Sequence, residues 1–422
     1  MREMKDSGIP WIGEIPKDWS VVPHKRVMYK VKEIQEHYNG ENILSLTMRG
    51  VIVRDLEAGG KMPTSFDGYQ KVYPNNLLQC LFDIDVTPRC VGLIRNEGLT
   101  SPAYSQFAMY PNGYAPYYDY LLRYMDDRKT LLHLSKNLRS SLTETDFGAI
   151  YTCVPSSIEE QQRIAEFLDR KCAEVDEMIA LQEQIIEELK AYKQSVITEI
   201  ATKGLNPTAP MRDSGIEWIG SIPEHWSKDK IIRSFRMIGS GTTPKSTDEN
   251  NFDGDINWIQ SGDINGGVME SCKNRVSYET IENCSALKVY SAPFIIVAMY
   301  GASVGNTSIS SIDGCVNQAC CVLSNSALNF SHSFSVIKSC KDYWLRKAVG
   351  GGQPNISQET IKQTWIPIPP ITEQQAIADY LDEKCADIDS LIQTKQSKID
   401  SLKEYKKSII YEYVTGKQEV NE

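Results

Sequence analysis

The sequence predicts an α+β fold: two mixed α/β globular domains separated by two long helices that pair as an antiparallel coiled coil, in a pseudo-two-fold internal repeat. Two observations predict this fold. Two pairs of similar segments recur in the same order along the 422 residues. The second member of each copy opens a long run of apolar residues at heptad spacing. We expect residues 1–153 to form the first globular domain, 154–205 the first long helix (a central spacer), 206–367 the second globular domain and 368–422 the second long helix (a distal spacer).

The repeat consists of matched ends around a middle that has diverged. Met4–Ser20 and Met211–Ser227 are identical at 12 of 17 positions, and Glu160–Asp176 and Glu373–Asp389 at 11 of 17. The segments between these pairs differ far more. One architecture with two variable binding surfaces is the simplest explanation of this pattern.

Apolar residues alternate at steps of three and four through both helical stretches, which is typical of a coiled-coil seam. In the first stretch these are Ile164, Leu168, Cys172, Val175, Ile179, Ile186, Leu189, Val196 and Ile200. In the second they are Ile377, Leu381, Cys385, Ile388, Ile392, Ile399, Leu402, Ile409 and Tyr413. Polar residues occupy matching seam positions, Gln182 with Lys395 and Lys193 with Lys406, and we expect them to fix the register. The alternative is that each helix packs on its own domain without pairing.

The globular domains read as mixed α/β with long loops. Short β-rich runs such as 76–82 (NLLQCLF) and 292–300 (APFIIVAMY) are bounded by Gly and Pro. Residues 240–255 form a polar segment too rich in Thr, Asn and Asp for a core. Long loops on a compact domain are where recognition usually resides.

Composition is that of a globular protein, with 41% hydrophobic and 24% charged residues. The sequence contains no apolar run long enough to span a membrane and no signal-peptide pattern, so we expect a cytoplasmic protein. The net charge of −10 lies largely in the helical stretches 157–203 and 371–417. The globular domains are near neutral, which leaves room for local basic patches.

Motifs for catalysis are missing from the sequence. We find no GxxxxGK[ST] phosphate loop, no glycine turn in a Rossmann context and no Asn/Asp-Pro-Pro-aromatic motif of amino methylation. The five histidines are scattered, and neither they nor the cysteines have metal-ligand spacing. We therefore expect no catalytic residue, no metal site and no cofactor in this chain.

The motifs together resemble the specificity subunit of a Type I restriction–modification system, over essentially the full length. The resemblance rests on SGIPWIGEIPKDW and SGIEWIGSIPEHW, on IEEQQRIAEFLD and ITEQQAIADYLD, and on GTTPKSTDENNFDGDINWIQSGDIN. It implies a non-catalytic subunit with two target-recognition domains, each reading one half of a split double-stranded DNA target. One departure concerns the first long helix, where Ser156-Ser157 stands in the place of Pro369-Pro370.

The resemblance also implies partners. Two methyltransferase subunits would bind S-adenosylmethionine, and motor–nuclease subunits would use ATP and Mg²⁺, so these cofactors belong to the partners. The helices would set the gap between the half-sites and dock the methyltransferase subunits.

Base reading requires Arg or Lys for guanine, Asn or Gln for adenine, and Ser or Thr for either, carried on loops. In the first domain the candidates are Thr47, Arg49, Thr87, Arg89, Arg139 and Ser141. In the second they are Thr243, Lys245, Ser246, Ser261, Asp263, Tyr300, Ser303, Asn306, Gln353 and Asn355.

Two other functions remain open at this point. A coiled-coil scaffold with two protein-binding domains would share the helices, but it gives no reason for divergence confined to the domains. A self-sufficient methyltransferase or nuclease would need the motifs that we do not find. Trp11, Trp19, Trp218 and Trp226 recur with the repeat, and we expect them to anchor each domain to the helices.

Overall fold

The computed structural model describes residues 2–58, 63–135, 140–350 and 352–420. Its first globular domain contains short strands and three helices, followed by the first long helix. The strands are β1 (Met4–Asp6), β2 (Glu14–Pro16), β3 (Ser20–Pro23), β4 (Met28–Val31), β5 (Leu44–Thr47), β6 (Gly50–Val53), β7 (Gln70–Val72), β8 (Leu77–Gln79), β9 (Val91–Leu93), β10 (Gly98–Thr100), β11 (Ser105–Met109) and β12 (Tyr151–Val154). The helices are α1 (Ala115–Asp127), α2 (Thr130–Leu134), α3 (Glu144–Ala149) and the long α4 (Ile158–Lys203).

The second domain follows the same plan and leads into the second long helix. Its strands are β13 (Met211–Ile216), β14 (Gly220–Pro223), β15 (Ser227–Lys230), β16 (Phe235–Gly239), β17 (Ile256–Ile259), β18 (Val268–Met269), β19 (Arg275–Val276), β20 (Phe294–Ala298), β21 (Thr307–Ser310), β22 (Cys315–Val316), β23 (Cys320–Ser326) and β24 (Trp365–Ile368). Its helices are α5 (Ile231–Ser234), α6 (Tyr278–Asn283), α7 (Phe330–Ser339), α8 (Lys341–Lys347), α9 (Gln358–Gln363) and the long α10 (Ile371–Val414).

The chain divides into two compact units, and each contains one globular domain with parts of both long helices. Unit 1 comprises Met1–Glu183 and Gln396–Glu422, and unit 2 comprises Gln184–Lys395. The boundaries fall within α4 and α10, so the helices do not form bodies of their own. The domain limits expected from the sequence, which set the helices apart, stay a prediction.

Within each unit α4 and α10 run antiparallel, as predicted. In unit 1 the Phe167 ring lies 4.3 Å from that of Tyr413, and Lys406 Nζ lies 2.6 Å from Asp176. In unit 2, Lys193 Nζ lies 2.6 Å from an Asp389 carboxylate oxygen. Lys193 and Lys406 are two of the predicted polar seam residues, and each forms an ion pair with the neighbouring helix.

The predicted seam is buried through most of its length, with Leu168, Val175, Ile377 and Leu381 at most 2% exposed. A second apolar stripe lies beside it. Ala201 joins the core of the second domain, and Ile410 and Val414 join the core of the first. Each helix therefore packs on a globular domain as well as on the other helix, which combines the two interpretations that the sequence left open.

The repeated Trp-Ser segments connect each domain to a helix. Trp19 and Trp226 are each 1% exposed. Trp19 Nε1 donates to Glu160 Oε1 at 3.1 Å, and Trp226 Nε1 donates to Glu373 Oε2 at 2.9 Å. The anchoring role expected for these two tryptophans is confirmed, whereas Trp11 and Trp218 are only partly buried.

The two serines that replace the proline pair define the start of α4 by side-chain capping. Ser157 Oγ accepts from Glu160 N at 3.2 Å, and Ser156 Oγ donates to the Glu160 carboxylate at 2.7 Å. At α10 the Pro370 carbonyl accepts from Glu373 N at 2.9 Å. A capped serine pair and a rigid proline pair thus define equivalent helix starts.

In each domain the third strand and the last strand lie side by side. β3 pairs antiparallel with β12, and β15 pairs antiparallel with β24. The central sheets have the orders β4-β11-β8-β9 in the first domain and β16-β23-β20-β21-β18 in the second. The β-rich runs predicted at 76–82 and 292–300 supply β8 and β20.

Candidate nucleic-acid interface

In the second domain the candidate residues collect at one edge of the five-stranded sheet. β16, β23, β20 and β21 are antiparallel in turn, and β18 runs parallel to β21. The ends of β16 and β20 and the beginnings of β23, β21 and β18 therefore lie at the same edge. We call this the recognition edge: the loops 240–247, 260–267, 300–306 and 317–319, with residues 349–350 and 352–355.

Backbone hydrogen bonds join these loops into one surface. Asn317 N donates to Ile259 O at 3.0 Å, Met299 N to Ala319 O at 2.7 Å, and Gly301 N to Pro354 O at 3.0 Å. Residues that are distant in the sequence thereby become neighbours. The sequence-predicted candidates of the second domain are thus brought together.

The polar loop after β16 is held at its base and is open at its tip. Thr243 Oγ1 donates to Gln318 Oε1 at 2.7 Å, and Trp258 Nε1 donates to Thr242 O at 3.3 Å. Lys245 and Ser246 are exposed. The loop therefore presents a cation and a hydroxyl to solvent from a fixed base.

The turn after β17 is capped by one of its own side chains. Ser261–Asp263 forms a short 3₁₀ turn, and the Asp263 carboxylate accepts from Gln260 N at 2.9 Å. Asp263 thus caps the turn that carries Ser261. A carboxylate in this position can orient neighbouring donors and repels DNA phosphates.

Tyr300 and Asn355 lie against each other. Tyr300 forms an isolated β-bridge with Asn355, and its side chain is 44% exposed. Ser303 Oγ donates to Tyr300 O at 3.3 Å, while Gln353 is exposed. An aromatic ring, a hydroxyl and two amides therefore share this end of the edge with Asn306, whose backbone N–H donates to Ser303 O at 2.9 Å.

In the first domain Thr47 and Arg49 occupy the turn between β5 and β6. Thr47 Oγ1 donates to Gly50 O at 3.0 Å and accepts from Arg49 N at 3.1 Å. Gly50 has a φ of +97°, a conformation that L residues rarely adopt. Met48 at the turn is 62% exposed, and Arg49 is also exposed, so this guanidinium is free to reach a ligand.

Thr87 and Arg89 lie on the loop between β8 and β9, next to Ser141. Leu142 N donates to Leu81 O at 2.8 Å, and Ile84 N donates to Ser140 O at 3.1 Å, which joins the two segments. The Arg89 guanidinium lies 2.9 Å from Asp127 and 3.4 Å from Asp126, and its side chain is 14% exposed. Contact with a base would require these ion pairs to break. Arg139 lies outside the described residues.

Sequence reasoning missed Gln318, whose amide lies at the centre of the recognition edge. The signal in the sequence was an Asn-Gln pair one residue before a buried strand, in VNQACCVL. For metal binding, the described residues contain no group of three or more His, Cys, Asp or Glu side chains arranged to hold an ion. Within the same residues, no helix is long and apolar enough to cross a bilayer.

The loops of the recognition edge lie in a segment that matches a known protein family. The family model described as the Type I restriction modification DNA specificity domain matches residues 223–401. The putative type I restriction enzyme MjaX specificity subunit of Methanocaldococcus jannaschii is 27% identical over 318 residues, which is 72% of this chain and 69% of the relative. The MjaIX specificity subunit of the same organism is 24% identical over 190 residues, 44% of this chain and 42% of that protein.

Solved structures share the fold. A chain from a structure concerned with complex assembly and conformational transition of the type I R-M system has a TM-score of 0.69 at 16% identity, covering 96% of this chain and 99% of that one. The HsdS subunit of Thermoanaerobacter tengcongensis has a TM-score of 0.52 at 17% identity, with 96% and 98% coverage. Residues 223–401 thus match the Type I DNA specificity domain, and the chain is similar over 72% of its length to a putative type I specificity subunit.

Proposed function

We propose that each globular domain reads one half of a bipartite, asymmetric DNA target. The observation that carries the proposal is the recognition edge, where hydroxyl, amide, lysine and aromatic side chains share one surface on fixed loops. These are the groups that read base edges in the major groove. Because the two domains have diverged while their frame is repeated, each can read a different sequence, as an asymmetric target requires.

Selection from random duplex DNA tests this proposal, with the chain co-expressed with the methyltransferase subunit of its own system. We expect two constant blocks separated by a fixed unread spacer. A single constant block would contradict the bipartite reading. Failure to select any DNA, together with stable capture of a protein by either domain, would favour the coiled-coil scaffold.

The helix pair is proposed to set the length of the spacer. A heptad inserted at matching positions of α4 and α10 keeps the seam in register and adds about 10 Å. This corresponds to about three base pairs of B-DNA, since one turn spans ~34 Å. We therefore expect the spacer to lengthen by about that number, whereas polar substitutions at exposed helix positions without insertion should leave it unchanged. An unaltered spacer in the inserted variant would refute the ruler function.

The helices are also proposed to dock two methyltransferase subunits. Exposed apolar side chains on the helices support this: Met178, Leu181 and Tyr405 in unit 1, and Tyr192, Tyr380 and Leu391 in unit 2, each 40–53% exposed. We further propose that S-adenosylmethionine binds the methyltransferase subunits and that motor–nuclease subunits supply ATP- and Mg²⁺-dependent cleavage. Native mass spectrometry of the co-expressed complex should give two methyltransferase subunits per chain. The cytoplasmic location stays a prediction from the sequence.

A further inference from the structure

Unit 2 contains a cleft of about 620 Å³ where loops of the recognition edge face both long helices. Its lining includes Lys190 and Lys193 of α4, Lys338 of α7, and Lys341 of α8. We call it the lysine cleft. Four lysines from three helices thus surround one cavity, whose described lining contains one carboxylate, that of Asp389, so the like charges repel one another.

The positive charge of the cleft is only partly compensated. Lys193 pairs with Asp389 at 2.6 Å, and Lys190 pairs with Glu187 at 2.7 Å on the exposed helix surface. Lys338 Nζ donates to the Gly266 carbonyl at 2.8 Å. Within the described parts of the chain, no carboxylate lies within 4.0 Å of the amino group of Lys338 or Lys341. Burial lowers the pKa of Lys338, and the nearby charge of Lys193 lowers it further.

The corresponding place in unit 1 is neutralised. By the repeat, Cys172, Asp176 and Lys406 correspond to Cys385, Asp389 and Lys193. Arg123 and Lys406 both lie near Cys172, and Lys338 lies near both Cys385 and Lys193. However, Arg123 is paired with the buried carboxylate of Asp119 at 2.6 Å. Among the described residues, the cation beside this cysteine is thus paired with a carboxylate in unit 1, whereas in unit 2 no carboxylate lies within 4.0 Å of it.

The cleft adjoins the recognition edge. Asn306, which precedes β21, and Asn265, which precedes β18, line both features. A duplex whose bases are read at that edge must carry its sugar–phosphate backbone past the neighbouring loops. Lysine ammonium groups bind phosphate as point charges and need no fixed geometry.

We propose that the lysine cleft binds backbone phosphates of the half-site read by the second domain, so that the long helices contact DNA as well as spacing the domains. This assignment rests on the proposed function, because it takes the recognition edge to be the base-reading surface. Phosphate contacts carry no sequence information, so the cleft is expected to add affinity and position the duplex without changing the target.

The test compares Lys190→Gln/Lys341→Gln with wild-type chain, both in complex with the co-expressed methyltransferase subunit. Affinity for the selected target and for a random duplex is measured by fluorescence anisotropy across NaCl concentrations. Removing one lysine–phosphate interaction should reduce the slope of log K against log [salt] by about 0.9. We expect a reduction of about 0.9 to 1.8, with about eightfold to sixtyfold weaker binding near 0.1 M salt on both duplexes. The selected sequence should not change.

Lys171→Gln/Lys398→Gln is the matched control, because it removes two lysines of the long helices in unit 1 whose repeat counterparts, Lys384 and Ile185, do not line the cleft. Lys171 pairs with Glu174 at 2.7 Å, as Lys190 does with Glu187. Equal slope changes in both double variants would overturn the proposal, since the effect would then be general electrostatics. An altered target sequence would also overturn it.

Two further measurements separate the remaining outcomes. Calorimetric titration of wild-type complex with inorganic phosphate and with ATP should give no binding tighter than millimolar. Micromolar binding that is abolished in the double variant, with an unchanged salt slope, would reassign the cleft to a free phosphate ligand and overturn the backbone contact. If wild-type selects no bipartite target, the proposed function fails, while the salt slope on random duplex still decides whether the cleft holds phosphates.

Discussion

Glu160 is the side chain on which the attachment of the first domain to α4 most depends. Its carboxylate accepts from Arg2 at 2.5 Å, from Trp19 Nε1 at 3.1 Å, and from both N–H and O–H of Ser156 at 3.1 and 2.7 Å. Its side chain is 11% exposed. Glu160→Gln keeps the shape, removes the charge and turns an amide N–H₂ toward donors. Loss of a charge-assisted bond at a mostly buried site costs about 2 to 3 kcal/mol.

Glu373 provides the control, because it occupies the same place in the repeat with a more open environment. It accepts from Trp226 and contacts His225, and its side chain is 39% exposed. Glu373→Gln should therefore cost no more than about 1 kcal/mol. Urea unfolding followed by tryptophan fluorescence measures both free energies of unfolding. Equal losses at the two sites, or a loss below about 0.5 kcal/mol at Glu160, would show that burial and donor number do not set the cost.

The same carboxylate predicts a pH dependence. Burial raises the pKa of Glu160, but hydrogen bonds from Arg2, Ser156 and Trp19 outweigh this and leave the pKa below its usual value of 4.5. The stabilisation is therefore complete above about pH 4.5 and is lost as the pH falls through the lowered pKa. Because Gln does not titrate, the difference in stability between wild type and Glu160→Gln should shrink below pH 4.5. A constant difference would argue against the assignment.

Three further outcomes can be measured by the same unfolding assay. Burial lowers the pKa of both His24 and His332 from 6.5 to about 4. Because each imidazole binds a proton more readily in the unfolded chain, each should lower the free energy of unfolding by about 2 kcal/mol between pH 7 and pH 5. His332→Leu should remove the part of this loss that His332 causes. Gly416→Ala should lower the free energy of unfolding by about 2 to 3 kcal/mol, because φ is +70° and the new Cβ would lie 2.5 Å from Pro16. Gly220→Ala should lower it by only about 1 kcal/mol, because φ is similar, at +77°, but the space around Gly220 is open. Lys193→Met should change stability by about 0.5 kcal/mol at low salt and less at high salt, since the partner Asp389 is 59% exposed.

The long helices were the most predictable part of the fold. Heptad spacing marked the seam, and Gly204 and Gly416 follow the ends of α4 and α10 with positive φ. The second apolar stripe, which includes Ala201 and Val414, escaped prediction because a heptad pattern reports the face toward the other helix. The β3–β12 and β15–β24 ladders also escaped it. β15 reads Ser-Lys-Asp-Lys, which has no apolar alternation to indicate a strand.

The candidate site was predictable by residue type and only partly by environment. Loop composition indicated Thr243, Tyr300 and Asn355, and sheet topology then brought them to one edge. Sequence could not indicate that Arg89 is paired with Asp126 and Asp127, because those partners lie on a distant helix. The lysine cleft was hidden for the same reason, since its cations come from three separate helices.

The strand ladders at the base of each domain have a consequence for how such proteins change. Because β3 lies beside β12, and β15 beside β24, the chain leaves each domain next to the point where it entered. Residues 24–150 and 231–364 can therefore be lengthened, shortened or exchanged for another folded segment without moving the ends that join the helices. On the proposed function, a recombination event confined to either segment would change the DNA half-site that is read and leave intact the helix surfaces proposed to dock the methyltransferase subunits.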